Sequence, residues 1–135
     1  MRGFGLIEAL LTLSMVATLI MLFVGTIVYE QQVARAAMLR TQALLVANEG
    51  LEAVHNMGEK DFALLTDGVH GLTLSGGPEG GWTFMGEEEQ VDSFFRQISI
   101  NPIDAADKEV TVTVRWDGGH GPSHISLSTY VSNWK

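Results

Sequence analysis

The chain contains no cysteine, so no disulfide can hold any part of it, and whatever folds must be stabilised by packing alone. Basic side chains are scarce: 8 stand against 16 acidic ones, a formal net charge of −8. From Glu59 to Lys135 the balance is 12 acidic to 5 basic, or −7. An acidic surface of this kind serves solubility and repels phosphate backbones, so direct binding of nucleic acid by the distal part is not expected. The N-x-S/T glycosylation signal is also missing. Most telling is a local absence: residues 9 to 29 carry no charge and no proline.

The hydrophobic content, 46% of the 135 residues, is high for a small soluble protein, and the excess is local to that uncharged run. Its 21 residues, at about 1.5 Å rise each, extend roughly 31 Å as a helix, close to the hydrocarbon thickness of a bilayer. Beyond Gly58 the composition is ordinary and polar. One domain with an appendage is therefore expected.

The helical pattern begins near Phe4 and meets no strong break until MGEKD at Met57 to Asp61. It is apolar on all sides up to Tyr29, which suits lipid or a bundle of like helices, and amphipathic from Glu30 onward. In the amphipathic half Val33, Ala37, Leu44, Ala47, Leu51 and Val54 follow an alternating spacing of four and three, the seam of a helix packed on a partner, interrupted by Arg40. Alanine is frequent around it, and small residues let neighbouring backbones approach closely.

After Gly58 the periodicity changes from 3.6 to 2. Leu72 and Leu74, the glycine-rich stretch Gly76 to Gly81, and Trp82 and Phe84 predict a hairpin. Three longer strands follow: FFRQISI (Phe94 to Ile100), VTVTVRW (Val110 to Trp116) and HISLSTYV (His124 to Val131). In the second, Val110, Val112, Val114 and Trp116 share one face while Thr111, Thr113 and Arg115 share the other, a pattern of one buried and one wet face. The short connections predict an antiparallel meander whose apolar face needs a cover. The amphipathic half-helix is the available one. The expected fold class is α+β: a long N-terminal helix, apolar in its first half, packed by its second half on a small antiparallel β-sheet.

Glu8 is the residue out of place, a carboxylate at the mouth of the uncharged run. A secretory signal peptide would place a small-x-small cleavage site at Ala34-Arg35-Ala36, but the apolar run is too long and only Arg2 precedes it as a cation. A plain membrane anchor fits the length and leaves Glu8 without a purpose. The residues GFGLIEALLTLSMV (Gly3 to Val16) resemble the start of type IV prepilins and the related pseudopilins. In that family a short leader ends in glycine, the mature chain opens with phenylalanine, and a glutamate stands fifth after the cut. Gly3, Phe4 and Glu8 occupy those places. The close resemblance covers residues 3 to 57; beyond them only the architecture is similar.

The resemblance implies residues 1–3 as a leader remnant, 4–29 as a transmembrane and filament-core helix, 30–57 as its amphipathic continuation and 58–135 as a sheet head domain. It implies cleavage at Gly3-Phe4 by a prepilin peptidase and N-methylation of the Phe4 amine. It implies a single-pass precursor in the inner or cytoplasmic membrane, polymerised by an assembly platform and its ATPase into an extracellular homopolymeric helical filament. Phe4 and Glu8 are the implied assembly residues, the Glu8 carboxylate pairing with a cationic amine and setting the axial register between subunits. Family members often close the head with a cysteine pair, which this chain lacks. Where the best-known branch has a proline in the helix, this chain has Gly25, which weakens a helix by roughly 1 kcal/mol relative to alanine and marks a point of expected flexibility. The alternatives within and outside the family are a minor pilin, a secretion pseudopilin, and a simple membrane-anchored binding domain.

No cofactor, metal or enzymatic activity is expected. Asp117, His120 and His124 match no metal-ligand spacing. Glu87, Glu88 and Glu89 with Asp92 lack the alternating ligand pattern of a calcium loop and read as a solvated charge run. No nucleophile, base and orienter assemble into a catalytic set.

Overall fold

The computed structural model describes residues 4–75, 80–119 and 121–133. One helix, α1, runs Phe4–Lys60, and the strands that follow form antiparallel sheets. The fold is thus α+β, with a long N-terminal apolar helix followed by a small antiparallel sheet, the pilin-like layout. The chain divides into two compact units, Met1–Met38 and Leu39–Lys135.

Within the first unit the described apolar side chains of the helix are exposed. Leu6, Leu10, Leu13, Leu19, Phe23 and their neighbours are all exposed, and no residue of its most apolar 18-residue window is buried.

The second unit carries the core. Its strands are β1 (Gly68–His70), β2 (Leu72–Leu74), β3 (Trp82–Phe84), β4 (Glu89–Val91), β5 (Phe94–Pro102), β6 (Asp107–Asp117) and β7 (Pro122–Ser132). The main sheet has the order β1-β5-β6-β7, with β4 also pairing to β5. The three long strands form the expected meander, and the connections between them shrink to residues 103–106 and 118–121 because the strands run longer than the alternation suggested. Leu72 to Phe84 form the expected hairpin as a separate two-stranded ribbon, with Leu72 opposite Phe84 and Leu74 opposite Trp82. Of its expected turn, Gly76 to Gly81, residues 76–79 lie outside the described residues.

Val110, Val112, Val114 and Trp116 are buried, as are Phe94, Ile98 and Ile100 beside them. The cover is the C-terminal half of α1, and its buried row keeps Ala47 and Val54 of the expected seam but not Leu44 or Val33. Ala43, Ala47, Gly50, Val54 and Met57 face inward, whereas Leu44 is 37% and Val33 51% exposed. The spacing of four and three is right, and the row is displaced toward smaller side chains. The reason is the close approach of helix and sheet: a Cβ on Gly50 would stand 3.1 Å from both Arg96 Cδ and Val112 Cγ1. Bulk would hold the two layers apart. Gly50→Val is accordingly expected to destabilise the sheet unit by about 1–3 kcal/mol, the usual cost of overpacking. A denaturant midpoint followed by tryptophan fluorescence in detergent checks this; an unchanged midpoint would show that the helix can back away freely.

Gly58, read from sequence as the start of the break, is helical, and its missing side chain makes room for Leu65 Cδ1 and Val131 Cγ1. The helix stops at Lys60, inside the MGEKD stretch. Asp61 then adopts extended backbone, and its side chain caps a 3-10 turn by accepting from Ala63 N–H at 2.9 Å. Two three-residue strands, β1 and β4, are additions that the alternation did not reveal. Runs so short carry too few residues for a period of two to register.

Candidate assembly site

Glu8 lies in the second turn of α1, exposed, between exposed Leu6, Ile7, Leu10 and Leu11. No ion pair to it forms among the described residues. Going toward the C-terminus, the next cation along the helix is Arg35, about 40 Å away at 1.5 Å per residue. Phe4 opens the helix and Gly3 lies outside the described residues, so the expected processing bond straddles that limit. Gly25 sits within an unbroken helix, with nothing within 4 Å of the place its Cβ would take.

The hydroxyls of the uncharged run show how a polar group is accommodated on such a surface. Thr12 donates to the carbonyls of Glu8 and Ala9, both at 2.9 Å, and Ser14 to Leu11 at 2.8 Å. Thr18 donates to Ser14 at 2.9 Å and Thr26 to Phe23 at 2.8 Å. Each of these serine and threonine hydroxyls is satisfied by its own helix, which leaves them no demand for water and suits the segment to hydrocarbon. Glu8 has no such internal solution. A carboxylate has no proton to give a helix carbonyl, so it must find a cation or remain in contact with water. The helix is long and apolar enough to cross a membrane.

Arg96 is the residue whose importance sequence reading missed. In the alternation of FFRQISI it shares a face with Phe94, Ile98 and Ile100, and it is 1% exposed. Its Nη2 and Nε donate to Glu89 Oε2 at 2.6 and 3.1 Å, and its Nη1 donates to the Val46 carbonyl at 3.1 Å. Glu49 Oε2 stands 3.8 Å from Nη1, and the guanidinium lies 5.6 Å from the Trp82 ring centroid. One side chain thus ties together α1, β4, β5 and the β2-β3 ribbon. A signal was present: a lone arginine at an inward position of a strand needs an internal acid, and the preceding stretch, Glu87 to Asp92, is rich in them.

The same contacts correct the reading of that run as solvated charge. Glu89 pairs with Arg96, and Glu88 pairs with Arg115. Lys108 bonds the Leu65 carbonyl and Asp67, the latter at 2.7 Å. Carboxylates of the head are therefore partly consumed in tethering connections that a disulfide holds in many proteins of this size. Asp117 bonds Gly119 N–H at 2.9 Å in the β6-β7 turn, and His120 lies outside the described residues. Among the described residues no three His, Asp or Glu side chains converge as a metal set.

The chain matches no protein-family model, no curated protein and no solved structure. What is established is the class: an α+β protein with an uncovered apolar N-terminal helix and a sheet unit packed on the continuation of that helix.

Proposed function

We propose that the protein is a structural subunit of a type IV pilus-like filament, stored in the membrane as a single-pass precursor and polymerised through its N-terminal helix. The observation that carries the proposal is the combination at residues 4–29: a helix apolar on every side whose described side chains are exposed, with one carboxylate, the fifth residue of the segment that begins at Phe4, that has no ion pair among the described residues. Such a surface requires either lipid or copies of itself. Exchange of one for the other costs little hydrophobic energy, because both surroundings are apolar. A cationic amine on Phe4 of a neighbouring subunit would satisfy Glu8 only at one axial offset, a registry role of the kind best attested for buried ionic groups. The acidic sheet units would form the soluble exterior.

Processing at Gly3-Phe4 is the first expected outcome. Mass analysis of the N-terminus from native cells should return an N-methylated Phe4; a mature chain starting at Ala37 would instead establish a secretory signal peptide. Sheared and washed surface material should contain this chain as its dominant polypeptide in filaments visible by electron microscopy. A trace level beside another subunit would assign it to the minor pilins. In a map of such filaments the helix should loosen at Gly25, where β-branched Val24, Thr26, Ile27 and Val28 add to the low helix propensity of glycine. An unbroken helix from Val16 to Glu30 would remove that element of the proposal.

A further inference from the structure

The two edges of the main sheet are unlike. One side of β5 is closed by β1 and β4, three residues each. The other edge is β7, 11 residues long, which pairs only with β6 among the described residues. Natural proteins blunt long edges with charges, internal proline or bulges, because a row of free main-chain groups is a template for another strand. From Ser123 to Ser132 β7 contains no Lys, Arg, Asp, Glu or Pro, and no carboxylate side chain occurs after Asp117.

The phase of the ladder identifies the free groups. At one end of the β6-β7 pair Gly118 N–H donates to the Gly121 carbonyl at 3.1 Å, and at the other Asn133 N–H donates to the Ala106 carbonyl at 2.7 Å. Both bonds use odd-numbered residues on the returning strand. Antiparallel ladders alternate with period two, so Ser123, Ile125, Leu127, Thr129 and Val131 bond to β6. The main-chain groups of His124, Ser126, Ser128 and Tyr130 turn toward the open side.

We propose that this edge pairs antiparallel with β7 of a second copy of the chain, centred on Leu127, continuing the sheet across a two-fold axis. Leu127 is the midpoint of Pro122–Ser132, so pairing about it uses the whole strand. Ser126 then lies opposite Ser128 of the second copy, His124 opposite its Tyr130, and Ile125 opposite its Thr129. Hydroxyl meets hydroxyl on the wet face. On the other face the half-buried Ile125, Leu127 and Thr129 are extended by the same residues of the copy. An isologous contact requires such self-complementarity, and the serines at 126 and 128 meet it with like polar groups. Charge points the same way: two subunits of net charge −8 repel least where they meet on the stretch free of carboxylates. The contact is independent of the apolar helix. Because a two-fold axis reverses the direction of the copy, it does not fit between like-directed subunits of one filament and would join neighbouring filaments that run in opposite directions.

Single cysteines test it cleanly, because the chain has none of its own. Full-length variants are oxidised mildly in detergent micelles and read on non-reducing gels. Leu127→Cys should give disulfide dimer, since a residue paired with itself across a non-hydrogen-bonded position has Cα atoms about 4.5 Å apart, within disulfide range. Ser126→Cys and Ser128→Cys, each alone, should give several-fold less, because neither faces its own copy. Mixed together they should cross-link with each other several-fold above either alone. This pair is exposed and guards against loss of folding in Leu127→Cys. Equal dimer yields from all single variants and the mixture, or none from any, would overturn the proposal.

Discussion

Glu8→Ala is expected to abolish filaments while leaving the chain in the membrane. The substitution removes the only charge between Phe4 and Tyr29, and insertion should become easier. A carboxylate costs about 2.5–3.5 kcal/mol at the centre of a membrane helix and less near its end. What is lost is the penalty that one subunit relieves in the next. With Glu8 present, a misregistered neighbour leaves both a carboxylate and a terminal amine unpaired in apolar surroundings; with alanine, all offsets become equivalent and register is no longer specified. Fractionation should find Glu8→Ala in membranes at wild-type level or above, and shearing should release almost no filament. Filaments in normal amount from Glu8→Ala would sink the registry role.

The second large effect belongs to the sheet unit. Arg96→Ala should destabilise it by about 3–5 kcal/mol, the range for breaking a buried ion pair by removing one partner, against a total stability of about 5–15 kcal/mol for a typical domain. Glu89, 23% exposed at its side chain, loses both bonds from the guanidinium, and the Val46 carbonyl loses its additional donor. The volume vacated beside Gly50 and Trp82 adds a cavity term. Arg96→Met should cost less, since its chain fills much of that volume without needing an acid. A denaturant titration in detergent followed by tryptophan fluorescence ranks the variants. If Arg96→Ala shifted the midpoint no more than an exposed substitution such as Gln97→Ala, the arginine cluster would not be what joins the ribbon to the sheet.

The two sites were not equally visible in the amino-acid sequence. Glu8 stands out without any structure, because its meaning comes from its immediate surroundings: one charge at the edge of a long run without any. The α+β class, the hairpin at Leu72 to Phe84 and the meander were legible for a related reason. Periods of 3.6 and 2 are local properties of the chain, and β6 alternates almost without interruption from Val110 to Trp116.

Residues 43 to 57 mark where local reading ended. The expected seam included Ala47 and Val54, which are buried, but also Leu44, which is 37% exposed while Ala43 and Gly50 face the sheet, because the separation of helix and sheet depends on what the sheet presents at that contact. Arg96 is the same lesson in charge: its acid lies seven residues away, its helix carbonyl 50, and no period connects them. The sequence by itself determined the long helix, the hairpin and the three long strands, which face of β6 is dry, and that one stretch of helix is apolar on every side. Only the tertiary structure decided which row of α1 meets the sheet, which carboxylates are tethers, and which edge of the sheet is left open. Those depend on distances between segments remote in the chain, set by packing after the local elements form.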